Sequence, residues 1–251
     1  MDRIKDEHQS TINKSDRWLY SRQTNMTEKD PEEIECHFAH SVRFYRALLN
    51  NYLSTKKDCL IMNLPCGEGR MIYTLKALGY QNIIGYDIDR ARLKTGQKLG
   101  LPLKEGNCLE ILINQDNNTI DVLFSMDFLE HLEKNTVIDF LKETQKKISP
   151  GGLLILRTPC ADSPLGSSHI YNDFTHKWAA TSGVLRHLLY NSGFSSVCVF
   201  GEEPTMNMRF GSIRIVAYQF ARFFAILFIK AFGQAPPPIW STSMWAVAQK
   251  E

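Results

Sequence analysis

A strand-like segment that ends in two glycines is the part of the sequence with the clearest chemical meaning. Residues 59–70 read CLIMNLPCGEGR, an apolar run that leads into a Gly-x-Gly turn at Gly67 and Gly69 and then into a helical pattern. Glycine lets the backbone turn tightly and lets a ligand approach where a β-carbon would obstruct it. Glycine pairs at strand ends are also common as purely structural turns, so the prediction of a ligand site depends on a second signal.

That second signal is an acidic residue at the end of the next predicted strand. Asp87 lies in the segment GYDID, 18 residues after Gly69. An acid in this position of a doubly wound fold binds the hydroxyl pair of a ribose. The pattern therefore predicts a ribose site at Asp87, with Ile88 beside it. The alternative is that Asp87 only caps the amino terminus of the following helix.

The spacing of the glycines distinguishes between two kinds of ribose-containing ligand. A dinucleotide site needs a third glycine or an alanine three residues after Gly69, so that a pyrophosphate can lie on the helix amino terminus. Ile72 occupies that position, and Glu68 in the turn would repel a phosphate. The turn therefore favours a cofactor that has a ribose but no phosphate.

The same segment resembles motif I of the class I S-adenosylmethionine-dependent methyltransferases, and later segments resemble further motifs of that family in the same order. Residues 106–110 (GNCLE) resemble the third-strand motif that contacts adenine. Residues 121–132 (DVLFSMDFLEHL) resemble the fourth-strand motif, and residues 149–153 (SPGGL) resemble the turn before the fifth strand. The resemblance spans residues 36–200 and implies S-adenosyl-L-methionine as the cofactor.

The resemblance also implies a set of cofactor-binding residues, some of which depart from the family pattern. Asn63 stands where an acid usually orients the amino group of the cofactor, and Pro65 replaces the first glycine. Asn107 replaces the usual Asp near adenine, although its side-chain carbonyl can still accept a hydrogen bond. These departures leave open a scaffold that binds the cofactor without activity. The predicted set comprises Asn63, Pro65, Gly67, Gly69, Asp87, Ile88, Asn107, Cys108 and, near the methionine end, Asp127.

Histidines that follow the predicted fourth and fifth strands are the candidates for acid–base chemistry. Methyl transfer from a sulfonium is an in-line displacement that mainly requires alignment, and a hydroxyl acceptor also gains from a general base. His131 follows the fourth strand, and His169 and His176 lie in the loop after the fifth. Asp173 is predicted to pair with His176 and fix its tautomer. We predict His176, His131 and Asp173 as catalytic residues, with purely structural roles as the alternative for each.

Apolar runs and helical patterns alternate along most of the chain, which predicts the elements that position these residues. The rhythm is typical of an α/β, doubly wound, Rossmann-like sheet of seven mostly parallel strands with an antiparallel last strand. Residues 1–31 are predicted to form a polar arm, apart from an apolar cluster at residues 18–20, and residues 32–251 a single domain. We predict strands at 58–64, 82–86, 101–105, 120–125, 153–157, 196–200 and 241–249, and helices at 32–53, 69–78, 90–99, 137–148, 181–191 and 212–232.

Composition excludes several classes of protein. The 251 residues are 43% hydrophobic and 22% charged with a net charge of +2, which argues against disordered, collagen-like and polytopic membrane proteins and against a nucleic-acid partner. Scattered cysteines and an amino terminus without an apolar region predict a reduced, cytoplasmic protein. His37 and His40 have helical spacing but no evident third ligand, so no metal is predicted.

The carboxy-terminal segment differs from the rest in charge and in aromatic content. Residues 205–251 hold five cations and one acid, which leaves a charge of −2 on residues 1–204. Residues 205–236 are predicted to form an amphipathic helical insertion with its cations on one side. The stretch 209–232 then either covers the core or lies on an anionic membrane surface. Its longest apolar run, residues 223–229, is far shorter than the roughly 20 residues of a spanning helix.

The acceptor is predicted from weaker similarity. The DFTH segment at residues 173–176 and the inserted helix resemble features of methyltransferases in bacterial surface-glycan and lipid-linked sugar pathways. This ranks O-methylation of a sugar or lipid-linked glycan first, by a cytoplasmic enzyme that is peripheral on the inner face of the membrane. A small lipophilic acceptor, such as a quinone or polyketide phenol, and a non-catalytic cofactor-binding scaffold are the alternatives.

Overall fold

A computed structural model of the chain describes residues 29–53, 56–202 and 211–251. The predicted arm at residues 1–31, including the apolar cluster at 18–20, lies almost entirely outside the described residues, and so do the first residues of the predicted insertion. The described residues form two compact units that divide between Phe124 and Ser125. The prediction of a single domain over residues 32–251 stays a prediction.

The first unit contains the glycine turn and three parallel strand pairs. β1 lies between β2 and β4, and β3 pairs with β2. Asp30, Asp89 and Asn107 begin three of the helices, since the side-chain oxygen of each accepts from backbone N–H groups of the first turn. The elements are α1 (Pro31–Leu49), β1 (Ile61–Asn63), α2 (Arg70–Ala77), β2 (Ile83–Asp87), α3 (Arg90–Gln97), β3 (Leu103–Glu105), α4 (Cys108–Ile113) and β4 (Ile120–Met126), whose last two residues belong to the second unit.

The second unit contains the loops that carry the predicted histidines. Its last strand, β7, runs antiparallel to both β5 and β6. The elements are a 3₁₀ turn (Leu129–His131), α5 (Lys134–Lys147), β5 (Ile148–Pro159), α6 (Gly166–Tyr171), α7 (Ser182–Asn191), β6 (Ser196–Gly201), α8 (Gly211–Ala231) and β7 (Ser243–Gln249).

The strands form one seven-stranded sheet in the order β3-β2-β1-β4-β5-β7-β6, which confirms the predicted fold class and the antiparallel last strand. Two short helices, α4 and α6, were not predicted, because six residues are too few to show a helical period. β5 begins at Ile148 rather than at residue 153. Its first residues extend along the end of β7, where the N–H of Gly151 donates to the carbonyl of Lys250 at 2.9 Å.

Each unit has its own apolar core. In the first unit, β2 alternates buried and half-buried residues, and its buried side carries Ile83, Gly85 and Asp87. An acid on the core side of a strand is uncommon, because a carboxylate needs hydrogen-bond partners there. In the second unit, β7 is buried along nearly all of its length and includes Trp245 at 1% exposure. Burial therefore anchors β2, which carries Asp87, in the core of the first unit and β7 in the core of the second.

The helix α8 is the exception, because no part of its apolar stretch is buried. Its segment Ser212–Ala231 has 20 residues and a mean hydropathy of 1.6, which is long and apolar enough to cross a membrane by length and composition alone. The unbroken apolar run at residues 223–229 is too short to span, as expected. The longer segment qualifies because isolated cations within a helix do not prevent a high mean hydropathy.

Candidate functional site

The glycine turn has the left-handed backbone that its residue types predict. Gly67 has φ = +54° and Gly69 has φ = +91°. A Cβ added to Gly67 would lie 2.9 Å from the guanidinium of Arg92, and one added to Gly69 would lie 2.8 Å from a methyl group of Leu103. The positive φ favours glycine at both positions, and the methyl group of Leu103 adds close packing at Gly69. The turn leads directly into α2, as predicted.

Asp87 is joined to this turn by its carboxylate. Its Oδ2 accepts from the N–H of Gly67 at 2.7 Å, and its Oδ1 accepts from the N–H of Asp89 at 2.9 Å. Burial raises the pKa of Asp87 above its ordinary value, while the charge of Arg92 and the two backbone donors oppose that rise. The alternative role as a helix cap was wrong, because Asp89 caps α3.

The residues beside the turn fit a cofactor that carries a ribose and charged polar groups. Each carboxylate oxygen of Asp87 has one further lone pair that a ribose hydroxyl can use. Oε1 of Glu68 and Nε of Arg92 are buried and have no hydrogen-bond partner among the residues that the structure describes. Buried polar atoms are normally satisfied, so an acceptor and a donor beside a glycine turn indicate a polar ligand. S-adenosylmethionine has polar groups of both kinds.

Asn63 has two carbonyl partners. Oriented to satisfy its hydrogen bonds, its amide nitrogen donates to the carbonyl oxygens of Phe124 and Pro65, each at 3.2 Å. A carboxylate could not donate to either carbonyl, which explains why an amide stands where the family usually has an acid. Pro65 follows a cis peptide bond and is half-buried. The predicted contacts of Asn63 and Pro65 with the cofactor stay predictions.

The predicted adenine residues lie at the start of α4. The side-chain oxygen of Asn107 accepts from the N–H groups of Leu109 and Glu110, at 2.9 and 3.4 Å, so it already caps the helix. Cys108 is buried, and burial together with the charge of Asp87 raises the pKa of its thiol well above the ordinary range. The thiol is therefore neutral and can serve as an apolar contact. Ile88 is half-buried after β2. The adenine and ribose contacts stay predictions.

Gly96 in α3, which no sequence motif singled out, packs against the backbone of the glycine turn. A Cβ added to it would overlap the backbone carbonyl oxygen of Glu68 and a methyl group of Leu103. We expect Gly96→Ala to lower the free energy of unfolding by about 1–3 kcal/mol. In ordinary helices Gly→Ala stabilises by roughly 0.5–1 kcal/mol. Urea unfolding of the full chain measures the change.

The control for this prediction is Gly183→Ala in α7, where the nearest atom to an added Cβ is Oγ1 of Thr181 at 4.0 Å. That variant should be as stable as the parent chain or more stable. If both variants keep the parent stability, close packing of α3 against the turn is not what requires glycine at position 96.

In the second unit, the loop after β5 docks on the turn after β4. The backbone N–H of Lys177 donates to the carbonyl of Glu130 at 2.8 Å, and the indole N–H of Trp178 donates to the carbonyl of Leu129 at 2.9 Å. These contacts bring His176 to His131, with ring centroids 4.7 Å apart. The structure thus joins two of the three predicted catalytic residues.

His176 has a defined orientation. Its Nδ1 lies 2.7 Å from the carbonyl oxygen of Ile170, which can only accept, so Nδ1 donates. Its Nε2 lies 4.0 Å from Oε1 of Glu130. The prediction that the carboxylate of Asp173 fixes the His176 tautomer was wrong in this respect, because a backbone carbonyl accepts the Nδ1 proton.

Asp173 acts on the other histidine, through Thr175. Its Oδ1 accepts from the N–H of Thr175 at 2.9 Å and from the Thr175 hydroxyl at 2.6 Å. An Asp side chain commonly forms such a turn with the backbone two residues later. Oγ1 of Thr175 lies 2.9 Å from Nδ1 of His131. Asp173 is therefore a positioning residue for His131.

Glu130 is the residue of this cluster that sequence reasoning missed. It is 1% exposed, and its Oε2 accepts from the hydroxyl of Thr158 at 3.0 Å. Burial raises its pKa to about 8, and the charge of Asp127 adds to the rise. The available signal was an acid next to His131 directly after the fourth strand. A glutamate in a turn ordinarily indicates solvent exposure, which concealed it.

Asp127, predicted to lie near the methionine end of the cofactor, is held by Arg157. The guanidinium contacts the carboxylates of Asp127 and Glu202 at 2.9 Å each, and the indole N–H of Trp245 donates to Glu202 at 2.8 Å. Asp127 has φ = +50°, an uncommon backbone for a residue with a side chain. Its contact with the cofactor stays a prediction. His169 lies beside Ser243, with 3.3 Å between Nε2 and Oγ.

Comparison with known proteins is consistent with this geometry. The family described as a methyltransferase domain matches residues 37–199, more than half of the chain. The tRNA U34 carboxymethyltransferase of Mannheimia succiniciproducens is 25% identical over 185 residues, which cover 68% of this chain and 56% of that protein. The enzyme of the same name from Glaesserella parasuis is 26% identical over 53% of this chain and 42% of its own length. The chain thus spans about half the length of these relatives.

Solved structures show the same fold. A SAM dependent methyltransferase from Archaeoglobus fulgidus has a TM-score of 0.63 at 19% identity, over 83% of this chain and 94% of its own. Phosphoethanolamine N-methyltransferase 2 of Haemonchus contortus, in complex with S-adenosyl-L-methionine, has a TM-score of 0.57 at 14% identity, over 83% of this chain and 52% of its own. At these sequence identities, the structural similarity shows a shared fold and no more.

Proposed function

This chain belongs to the methyltransferase domain family and is an S-adenosylmethionine-dependent enzyme, and from that premise we propose that it methylates a hydroxyl group of a lipid-linked glycan at the inner face of a membrane. S-adenosylmethionine supplies an electrophilic methyl group on a sulfonium. Gly67 and Gly69 provide the close backbone approach, and Asp87 accepts from the ribose hydroxyls. The segment around His131 and His176 receives the acceptor.

The observation that carries this proposal is the surface of α8. Its phenylalanines are one-half to two-thirds exposed, with Phe220 and Phe228 each at 66%. Soluble proteins rarely expose a continuous apolar surface of this kind without a partner. The helix also carries Arg214, Arg222 and Lys230 and no acid. Apolar side chains with interspersed cations are suited to the interface of an anionic membrane.

The loop that carries His176 supplies a second observation. Tyr171 is 84% exposed and Phe174 is 90% exposed, and both lie within five residues of His176. Exposed aromatic rings provide large, rigid contact area for a sugar ring or a prenyl chain. Their positions favour an acceptor that has apolar as well as hydroxyl groups, which a lipid-linked glycan combines.

The exposed aromatic residues and the charge of the chain also rank the competing acceptors. A quinone or polyketide phenol would also use exposed aromatic residues, so it is the second candidate. The curated relatives act on tRNA according to their names, but residues 1–204 carry a charge of −2, and a tRNA-binding surface is normally basic. We therefore place a lipid acceptor above RNA.

Changing Arg214, Arg222 and Lys230 together to Gln is expected to weaken binding to anionic vesicles by about 100-fold, since each cation near such a surface contributes about 1 kcal/mol. Co-sedimentation of the full chain with phosphatidylglycerol vesicles measures this. The matched control changes three exposed cations of α5 and α7, Lys134, Lys142 and Arg186, to Gln. Equal binding by both triple variants would exclude α8 as the membrane contact.

The acceptor itself is tested by transfer of a tritiated methyl group. The full chain is incubated with S-adenosyl-[methyl-³H]methionine and either the lipid extract or the total RNA of a bacterial cell. We expect label in a lipid fraction that mild acid converts to a water-soluble methylated glycan. Label in RNA, or in a lipid without sugar, would overturn the glycan assignment. Cofactor binding without any labelled product would favour a scaffold.

A further inference from the structure

We propose that Glu130, His131 and His176 bind one divalent transition-metal ion, such as Mn²⁺, Fe²⁺ or Zn²⁺. Each of these residues, all in the second unit, offers one ligand atom, and the three atoms lie within 4.8 Å of one another. Two imidazole nitrogens and one carboxylate oxygen form a ligand set that such ions prefer. The inference differs from the expectation of no metal, which considered only His37 and His40.

The distances are close to those of a bound site. Metal–ligand bonds of 2.0–2.2 Å place two ligand atoms on one ion no more than about 4.2 Å apart. Nε2 of His176 and Oε1 of Glu130 are 4.0 Å apart and already satisfy that limit. All three ligand atoms lie within 4.8 Å of one another, so modest side-chain rotation can bring them onto one ion.

The tautomers of both histidines present the correct nitrogen. Nδ1 of His176 donates to the carbonyl of Ile170. The hydroxyl proton of Thr175 is directed at Asp173, so Oγ1 of Thr175 accepts from Nδ1 of His131. With Nδ1 protonated in each neutral ring, Nε2 carries the lone pair that a metal ion requires. Hydrogen bonds from the distal ring nitrogen to a carbonyl or a carboxylate-linked group are the usual support of metal-binding histidines.

Glu130 provides the independent observation that indicates a ligand at this position. Its side chain is 1% exposed, and Oε2 accepts from Thr158. Oε1 is buried, faces His176 and has no hydrogen-bond partner among the described residues. A buried carboxylate oxygen without a donor is costly, because it has lost its water. A cation between Glu130 and the two histidines would satisfy it.

The metal would activate the acceptor, an inference that rests on the proposed function. Three protein ligands leave coordination positions for an acceptor hydroxyl, and a bound ion lowers the pKa of that hydroxyl. The acceptor oxygen then forms a bond to the methyl carbon as the carbon–sulfur bond breaks, and the hydroxyl proton passes to solvent. The products are a methyl ether, S-adenosylhomocysteine and one proton, so atoms and charge balance without an oxidant.

Co²⁺ is the probe for the site, because its visible absorption reports nitrogen coordination. The chelator-treated full chain is titrated with Co²⁺ and then with Mn²⁺, and bound metal is counted by mass spectrometry after gel filtration. We expect one ion per chain, with affinity at least 10-fold lower in His176→Ala, His131→Ala and Glu130→Gln. His187→Ala, at an exposed position of α7, should bind as the parent chain does.

Equal metal affinity in the three ligand variants and in His187→Ala would overturn the inference, as would no bound ion in the parent chain. Circular dichroism identifies a variant that fails to fold, and the remaining variants then decide. The proposed function fails separately. If lipid is methylated at full rate in the presence of chelator, the metal inference is wrong and the acceptor assignment stands. If one ion binds at these residues but lipid is never labelled, the metal site stands and the acceptor assignment is wrong.

Discussion

Replacing Asp87 by Ala is expected to lower the affinity for S-adenosylmethionine and S-adenosylhomocysteine by at least about 100-fold. Each hydrogen bond between a ribose hydroxyl and a carboxylate contributes about 1.5–3 kcal/mol, and the variant loses two of them. The substitution also removes the acceptor of the Gly67 and Asp89 N–H groups, so the glycine turn loses the contact that joins it to β2. Calorimetry with both ligands measures the effect.

Asp89→Asn is the matched control for this experiment. It removes one negative charge two residues away, and an Asn still caps α3. Its affinity for both ligands should remain within a few-fold of the parent value. If Asp87→Ala binds as tightly as Asp89→Asn, Asp87 does not bind the ribose, and its two backbone contacts describe its whole role.

Replacing His176 by Ala is expected to slow transfer of the tritiated methyl group by at least about 100-fold while leaving the affinity for S-adenosylhomocysteine unchanged. A properly placed base or a metal that activates the acceptor contributes 10²–10⁴-fold or more, and the variant removes that contribution. Labelled product formed from the lipid extract is measured at saturating S-adenosylmethionine. His187→Ala should transfer at the parent rate.

The comparison with His131→Ala identifies which role His176 has. If both histidines bind one ion, each substitution lowers the rate to a similar extent. Asp173→Asn lowers it less, because Asp173 is not a ligand and contacts His131 through Thr175. If His176 is a base acting alone, His131→Ala transfers much faster than His176→Ala. Full turnover by His176→Ala would exclude it from the reaction.

The elements of the fold that could be predicted are those determined by residues close together in sequence. The strands and most helices follow from apolar periods and from capping residues such as Asp30 and Asn107, which act within a few residues of chain. The glycine turn was predictable for the same reason, since only glycine adopts φ values such as +91° at Gly69 without strain.

The part that was not predictable depends on contacts between distant segments. Glu130 and His176 are 46 residues apart in sequence and meet because the loop after β5 docks on the turn after β4. That docking determines which carbonyl accepts the hydrogen bond from Nδ1 of His176. It also determines which carboxylate oxygen of Glu130 lacks a hydrogen-bond donor. Asn63 is a similar case, because its two carbonyl partners include one on β4.

The exposed apolar side of α8 has a consequence for the protein in solution. In water without lipid or detergent, the phenylalanines of this helix, which are exposed among the described residues, can associate with the same helix of another copy. The particle size of a detergent-free preparation will then depend on protein concentration and on salt, because it will reflect self-association through α8. A stoichiometry that describes the enzyme at work has to be measured on a bilayer nanodisc or in a mild detergent.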